Sequence, residues 1–392
     1  MSMPTAPRRI LVTSTPLAGH INPTIPYARA LQAAGHEVCY ATTQNLRDKI
    51  EKHGFSLAPM PEPTKEAAAP TWAALDACGP DEVMPIAFRE MFGRVWPEAY
   101  LPVLLDKVAD WQPHLIVRES MDYSGLIAGE KASIPTACVS ITASGLLELF
   151  RPEADIAING LRNRFGVPRA NWRVWTEEPI VTPFPPELDT AGLATQTLKP
   201  MFVAPDGPAT TPLHGDESWM PAEGTPLIYL TLGTVSGRSE KVQAVYRQLL
   251  EAVATLPVQA LLTTGPIMDP SLLGTIPDNV QVAEFVPQTK VFSVASVVVN
   301  HGGSGTYLGC LAAGLPQVVI PLFADQPVNA RSLQASGAGL SVPDPNPSRI
   351  RDAITSVLDD PAYRDRANAI SMRMAAMQPM DRAVARLVAH SG

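Results

Sequence analysis

Short runs of apolar and β-branched residues alternate along the chain with amphipathic stretches of helical length. In the first half the runs are Ile10-Leu11-Val12, His36 to Tyr40, Leu115-Ile116-Val117 and Ile134 to Val139. In the second half they are Leu227 to Leu232, Gln259 to Thr264, Val280 to Phe285, Val297-Val298-Val299 and Gln317 to Ile320. Continuous apolar runs this short predict strands buried on both faces. Between them, helices are predicted over Pro23 to Ala34, Leu146 to Gly166, Lys241 to Ala254, Thr306 to Ala313, Ile350 to Leu358 and Tyr363 to Met377. Strand, helix, strand in succession builds a parallel sheet with right-handed crossovers. Ala204 to Gly224 is rich in Pro, Gly, Asp and Thr and has little periodicity, which marks a linker. The expected architecture is α/β: one doubly wound domain over residues 1–206 and another over 220–377.

The stretch Val297 to Gly314, VVVNHGGSGTYLGCLAAG, carries the sharpest chemistry. A buried strand runs into His301, Gly302, Gly303, Ser304 and Gly305, and Thr306 starts a helix. A strand, a glycine turn and a helix N-terminus together make an anion site, because free amides and the positive end of the helix dipole converge there. His301 stands where its imidazole could donate to a phosphate oxygen. Asp325 and Gln326 follow the next strand, where ligands lie in open α/β sheets, and a carboxylate beside an amide suits sugar hydroxyls. Another glycine turn, Gly233-Thr234-Val235-Ser236-Gly237, follows the strand at Leu227. The first loop, Ser14 to Pro23, lacks G-x-G-x-x-G, and no acidic residue ends the second strand, which counts against a nicotinamide enzyme.

HGGSGT followed by LAAGLPQVVIPLFADQPVNA, with Phe285-Val286-Pro287-Gln288 ahead of it, closely resembles the donor signature of family-1 glycosyltransferases. Gly19-His20-Ile21-Asn22-Pro23 resembles the G-H-x-x-P loop of the same family. The resemblance implies the GT-B fold, two Rossmann-like domains facing a cleft, with a last helix near 378–392 packing back on the first domain. It implies transfer of a sugar, with inversion, from a nucleoside diphosphate to an acceptor hydroxyl, His20 being the general base. The family places an acid after the strand at Leu115 to steady that histidine; here Glu119 is preferred by position and Asp122 lies one turn further. Gly233, Thr234, Ser236, Val286, Gln288 and His301 to Thr306 would bind the donor, with His301 and the turn amides on the diphosphate, Asp325 and Gln326 would hold the sugar, and Phe285 would stack on the base. Many UDP-sugar users in the family carry a glutamate where this chain has Gly309, so a dTDP-sugar is expected in preference to a UDP-sugar.

Met84, Phe88, Met91 and Phe92 form an apolar stripe that serves either core packing or the wall of an acceptor pocket. Leu147 and Phe150 are further candidates for that wall. The expected acceptor is an apolar small molecule such as an aromatic polyketide. A non-catalytic nucleotide-sugar-binding helper, or an epimerase of the same fold, remains as an alternative.

The net charge of −8 argues against a nucleic-acid partner but not against a local phosphate site built from amides. No Asp-x-Asp cluster is present, so no metal or other cofactor is expected beyond the nucleotide-sugar co-substrate. The four cysteines have no metal-ligand spacing and read as free thiols of a reducing compartment. Without a signal-peptide core or a membrane-length apolar run, a cytoplasmic location and no membrane insertion are expected; a homodimer is left open.

Overall fold

The computed structural model describes residues 6–79, 82–170, 177–190, 197–205, 219–233 and 239–389. The chain divides into two compact units, Met1–Val203 with Gln378–Gly392, and Ala204–Met377.

The first unit is built on β1 (Arg9–Thr13), β2 (Glu37–Thr43), β3 (Ser56–Met60), β4 (Leu115–Glu119), β5 (Thr136–Val139), β6 (Ile180–Thr182) and β7 (Met201–Phe202). They form one sheet in the order β3-β2-β1-β4-β5-β6-β7, with every pairing parallel. Alternation along the strands divides the core between two faces. Leu11 and Ile116 meet Tyr100, Leu104, Tyr123 and Ile127 on one face. Ile10, Val12, Leu115 and Val117 meet Ile25, Tyr27 and Leu31 on the other. That second face is completed by the last helix, Met380–Val388, which buries Ala383, Val384, Leu387 and Val388. The amide of Gln378 donates to Phe202 O at 2.9 Å and anchors the start of this return.

The second unit has β8 (Leu227–Thr231), β9 (Gln259–Thr263), β10 (Val280–Ala283), β11 (Val297–Asn300), β12 (Gln317–Val319) and β13 (Gly339–Ser341). Their order is β10-β9-β8-β11-β12-β13, again parallel throughout. The helix Glu240–Val253 turns Val242, Val245, Tyr246, Leu249 and Val253 inward, a helical spacing that seals one face of this sheet.

Two local readings change, and one stretch winds unusually. The stretch before Pro23, expected as a loop, contains a helical turn, Ala18–Ile21, that carries His20 and runs on toward the helix Ile25–Ala33. The single helix expected from Leu146 divides into Ser144–Leu149 and Arg151–Phe165. Pro152 has no N–H for the carbonyl of Glu148, so the first ladder stops there. Ala87–Val95 winds as a π-helix and continues into Trp96–Trp111. Gly93 lets it approach the neighbouring helix, since a Cβ there would stand 2.4 Å from Ala157 Cβ.

Candidate active site

A doubly wound sheet leaves a crevice where strand order reverses, outside the carboxyl ends of the strands. In the first unit the reversal lies between β1 and β4, which pair directly. His20 follows β1, and Glu119 is the last residue of β4 and is completely buried. His20 Nδ1 stands 2.9 Å from Glu119 Oε1. The amide of Met121 donates to Glu119 Oε2 at 2.6 Å. Burial alone would raise this carboxyl; the nearby His20, its hydrogen bond, the Met121 amide and the Thr15 hydroxyl outweigh that and hold it below the usual range. An ionised carboxylate only accepts, so the proton between the two groups sits on Nδ1. That assignment leaves Nε2 with its lone pair as the basic atom.

Asp122 does different work from the role offered for it. Its two carboxylate oxygens accept from the amides of Ser124 and Gly125 and so cap the helix Tyr123–Ala132. Arg118, one residue before Glu119, is buried with Glu178 as a bidentate pair at 3.0 and 2.5 Å, which keeps its guanidinium charged. Its Nη1 also donates to the carbonyls of Glu119 and Ser120.

The apolar stripe resolves mainly as core. Phe88, Met91 and Leu147 are buried among Leu101, Tyr123 and Ile158, with Met84 and Phe150 packed against them. The side chains of Phe88, Met91 and Leu147 thus belong to the core on that face of the sheet, while Met84 and Phe150 stay partly exposed at its margin. Phe92 is the member that meets the site, its ring centroid 5.2 Å from that of His20.

In the second unit the reversal falls between β8 and β11. Gly233 follows β8 with φ +85, and His301 follows β11. A Cβ on Gly233 would lie 2.9 Å from His301 Cε1, and one on Gly303 2.4 Å from His301 Nε2, so the ring is cradled by two glycines. Thr234 and Ser236 lie outside the described residues. Asn300 Oδ1 accepts from the amide of Gly302 at 2.8 Å, and Asn300 Nδ2 donates to Gln317 Oε1 at 2.9 Å. Asn329 Nδ2 donates to Gly302 O at 2.9 Å, tying the turn to the helix Gln326–Ser336. Gly302 itself has φ +84, and a Cβ on it would meet Val319 Cγ1 at 2.8 Å. The helix Ser304–Ala312 begins immediately after, with Gly303 at its N-cap and Gly305 exposed.

Asp325 is held by Ser304 Oγ at 2.6 Å and by Asn329 Nδ2 at 3.3 Å. Gln326 is buried, and its Oε1 already accepts from the amides of Leu322 and Phe323, so only its NH2 remains to offer. Gln288 Nε2 donates to Thr306 Oγ1 at 3.0 Å. The Val286 side chain belongs to the core, whereas Phe285 is 67% exposed, as a stacking platform requires. A Cβ on Gly309 would lie 2.8 Å from Phe292 Cε2, so Phe292 fills the space that a longer residue would need. Sequence reasoning missed Thr15, Asn300, Gln317, Asn329 and Phe292.

Burial lowers the His301 imidazole to about 4, and its Nδ1 is cut off from solvent with no protein partner among the described residues. The unfolded chain takes up this proton near ~6.5, so the folded state is favoured fully above that pH and loses ground as pH falls toward 4. Between those limits the loss reaches up to about 3 kcal/mol. Urea unfolding at neutral and acid pH checks this: His301→Asn is expected to show a shallower loss than the parent. An unchanged acid slope would contradict a ring held neutral in the fold.

The carboxyl-terminal part, residues 247–390, matches the family model described as "Erythromycin biosynthesis protein CIII-like, C-terminal domain". The L-demethylnoviosyl transferase of Streptomyces niveus is 31% identical, over 94% of this chain and 93% of its own. This chain belongs to the natural-product glycosyltransferases of the GT-B fold, family 1. The crystal structure of the glycosyltransferase SnogD from Streptomyces nogalater superposes with a TM-score of 0.76 at 26% identity, covering 98% of this chain and all of that one. SsfS6, the Streptomyces sp. SF2575 glycosyltransferase complexed with thymidine diphosphate, shares the fold with a TM-score of 0.75 at 24% identity, over 96% of this chain and 98% of that one. The protein is therefore a glycosyltransferase, and no helix among its described residues is long and apolar enough to cross a membrane.

Proposed function

We propose that this glycosyltransferase moves a sugar, with inversion, from a dTDP-sugar to a hydroxyl of an apolar small molecule, His20 acting as general base. The observation that carries the reading is the His20–Glu119 pair at the reversal point of the first sheet, with Nε2 left free. Nε2 takes the acceptor proton as the oxygen attacks C1. The C1–O bond to the diphosphate breaks on the opposite side, and the leaving group keeps the electron pair. Glu119 stabilises the imidazolium that forms.

The residues of the second unit fit the other half of the reaction. The amides from Gly303 to Thr306, the helix dipole and His301 offset the charge that grows on the leaving diphosphate, so the reading calls for no metal ion. Asp325 accepts from sugar hydroxyls, Gln326 donates its NH2, and Phe285 carries the base. Val286, Gln288 and Gly233 shape the turn around them. Phe292 over Gly309 supports the thymidine preference, because no carboxylate fits there to bind a ribose 2′-hydroxyl. The thymidine diphosphate bound to SsfS6 agrees with it. The relative named 10-deoxymethynolide desosaminyltransferase, from Streptomyces venezuelae, supports a small-molecule acceptor, with Phe92 as the aromatic surface beside the base.

Turnover with matched dTDP- and UDP-sugars tests the donor assignment. At least a tenfold higher kcat/KM is expected for the dTDP-sugar, from one missing ribose hydrogen bond of ~1.5 kcal/mol. Equal or better use of the UDP-sugar would overturn it.

A further inference from the structure

We infer that Thr15 is a positioning residue that, beside Glu119, reinforces the Nδ1–H tautomer of His20, an inference that rests on the general-base reading. Thr15 is buried in the loop after β1. Its Oγ1 lies 2.8 Å from His20 Nδ1 and donates to Glu119 Oε1 at 3.1 Å. With the 2.9 Å contact between Nδ1 and Oε1, three polar atoms close a triangle.

Proton counting gives that triangle a direction. Oε1 brings no proton, Nδ1 brings one and Oγ1 brings one. With the Thr15 proton committed to Oε1, its lone pairs face Nδ1 and accept part of the same N–H that points at the carboxylate. The reverse arrangement, Thr15 donating to Nδ1, would put the imidazole proton on Nε2 and leave the carboxylate facing a lone pair. A buried anion disfavours that strongly. Thr15 thus adds an acceptor on the proton that must stay on Nδ1, and a donor on the carboxylate that holds it. Ser14 Oγ donates to Thr15 O at 2.9 Å and braces the loop from the other side.

Thr15→Val keeps the shape and removes both hydrogen bonds; Thr15→Ser keeps the hydroxyl. Two readouts are needed. In the resting protein, 15N shifts of the His20 ring report the tautomer without any turnover. In steady state, kcat is expected to fall about tenfold in Thr15→Val with donor KM unchanged, and to recover in Thr15→Ser. The ring signal of Thr15→Val is expected to move toward a mixture with Nε2–H, while Thr15→Ser retains the Nδ1–H signature. A Thr15→Val enzyme with parental kcat and a parental ring spectrum would overturn the inference. Equal loss in both variants, with unchanged ring shifts, would also overturn it, by reducing Thr15 to a packing residue. A parent enzyme that transfers no sugar refutes the general-base reading instead, and the ring spectra still decide the tautomer.

Discussion

His20→Ala is expected to lower kcat by about 10³-fold while leaving thymidine diphosphate affinity unchanged. The imidazole stands at the reversal point of the first sheet with its Nε2 lone pair free, and on the proposed mechanism its removal takes away the proton acceptor for the attacking hydroxyl. The variant should fold, because the His20 ring is partly exposed and lies in a short helical turn. Glu119→Gln should fall nearly as far. An amide replaces the anion, loses the charge that stabilises the imidazolium, and can present NH2 to Nδ1, which favours the wrong tautomer. Steady-state rates beside equilibrium titration with thymidine diphosphate separate these effects. Loss of nucleotide binding in His20→Ala equal to its loss of turnover would contradict the assignment.

Gly303→Ala is expected to weaken thymidine diphosphate binding by about 10- to 100-fold, the worth of one charge-assisted hydrogen bond. The backbone at Gly303, φ −62 and ψ 134, suits alanine, so strain is not the cause. The added methyl would stand 2.4 Å from His301 Nε2, and the imidazole must leave its cradle. That methyl would also sit at the N-cap of the helix proposed to meet the diphosphate. Calorimetry on the variant, with circular dichroism to confirm its fold, checks the result. Undiminished affinity would remove His301 from the donor site.

Much of this arrangement is legible from residues alone, for identifiable reasons. The parallel strands are buried on both faces and so appear as short apolar runs such as Val297-Val298-Val299. The glycine turn is legible because the left-handed backbone of Gly302 and the close approach at Gly303 each demand that residue. The choice between Glu119 and Asp122 is not legible from spacing alone, which puts both near the end of β4. Asp122 does precede a helix in the position that favours a capping acid, and that signal separates them. The stripe at Phe88 and Met91 is equally ambiguous, since amphipathic spacing says which side chains cluster but not whether a ligand or a sheet covers them. Asn300, Gln317 and Asn329 come together only through the register of β11 with β12 and the return of a later helix. No local pattern encodes that meeting. Thr15 escapes for the same reason, its partner lying 104 residues away on another strand.

On the proposed mechanism proton transfer falls to His20 and the diphosphate to His301, on different units of the chain. Titrating thymidine diphosphate into His20→Ala and His301→Ala, and assaying sugar transfer by each, tests that division directly. The prediction is that His20→Ala binds the nucleotide like the parent and transfers sugar about 10³-fold more slowly, while His301→Ala binds it at least tenfold more weakly. Parental transfer by His20→Ala, or parental nucleotide affinity in His301→Ala, would contradict it.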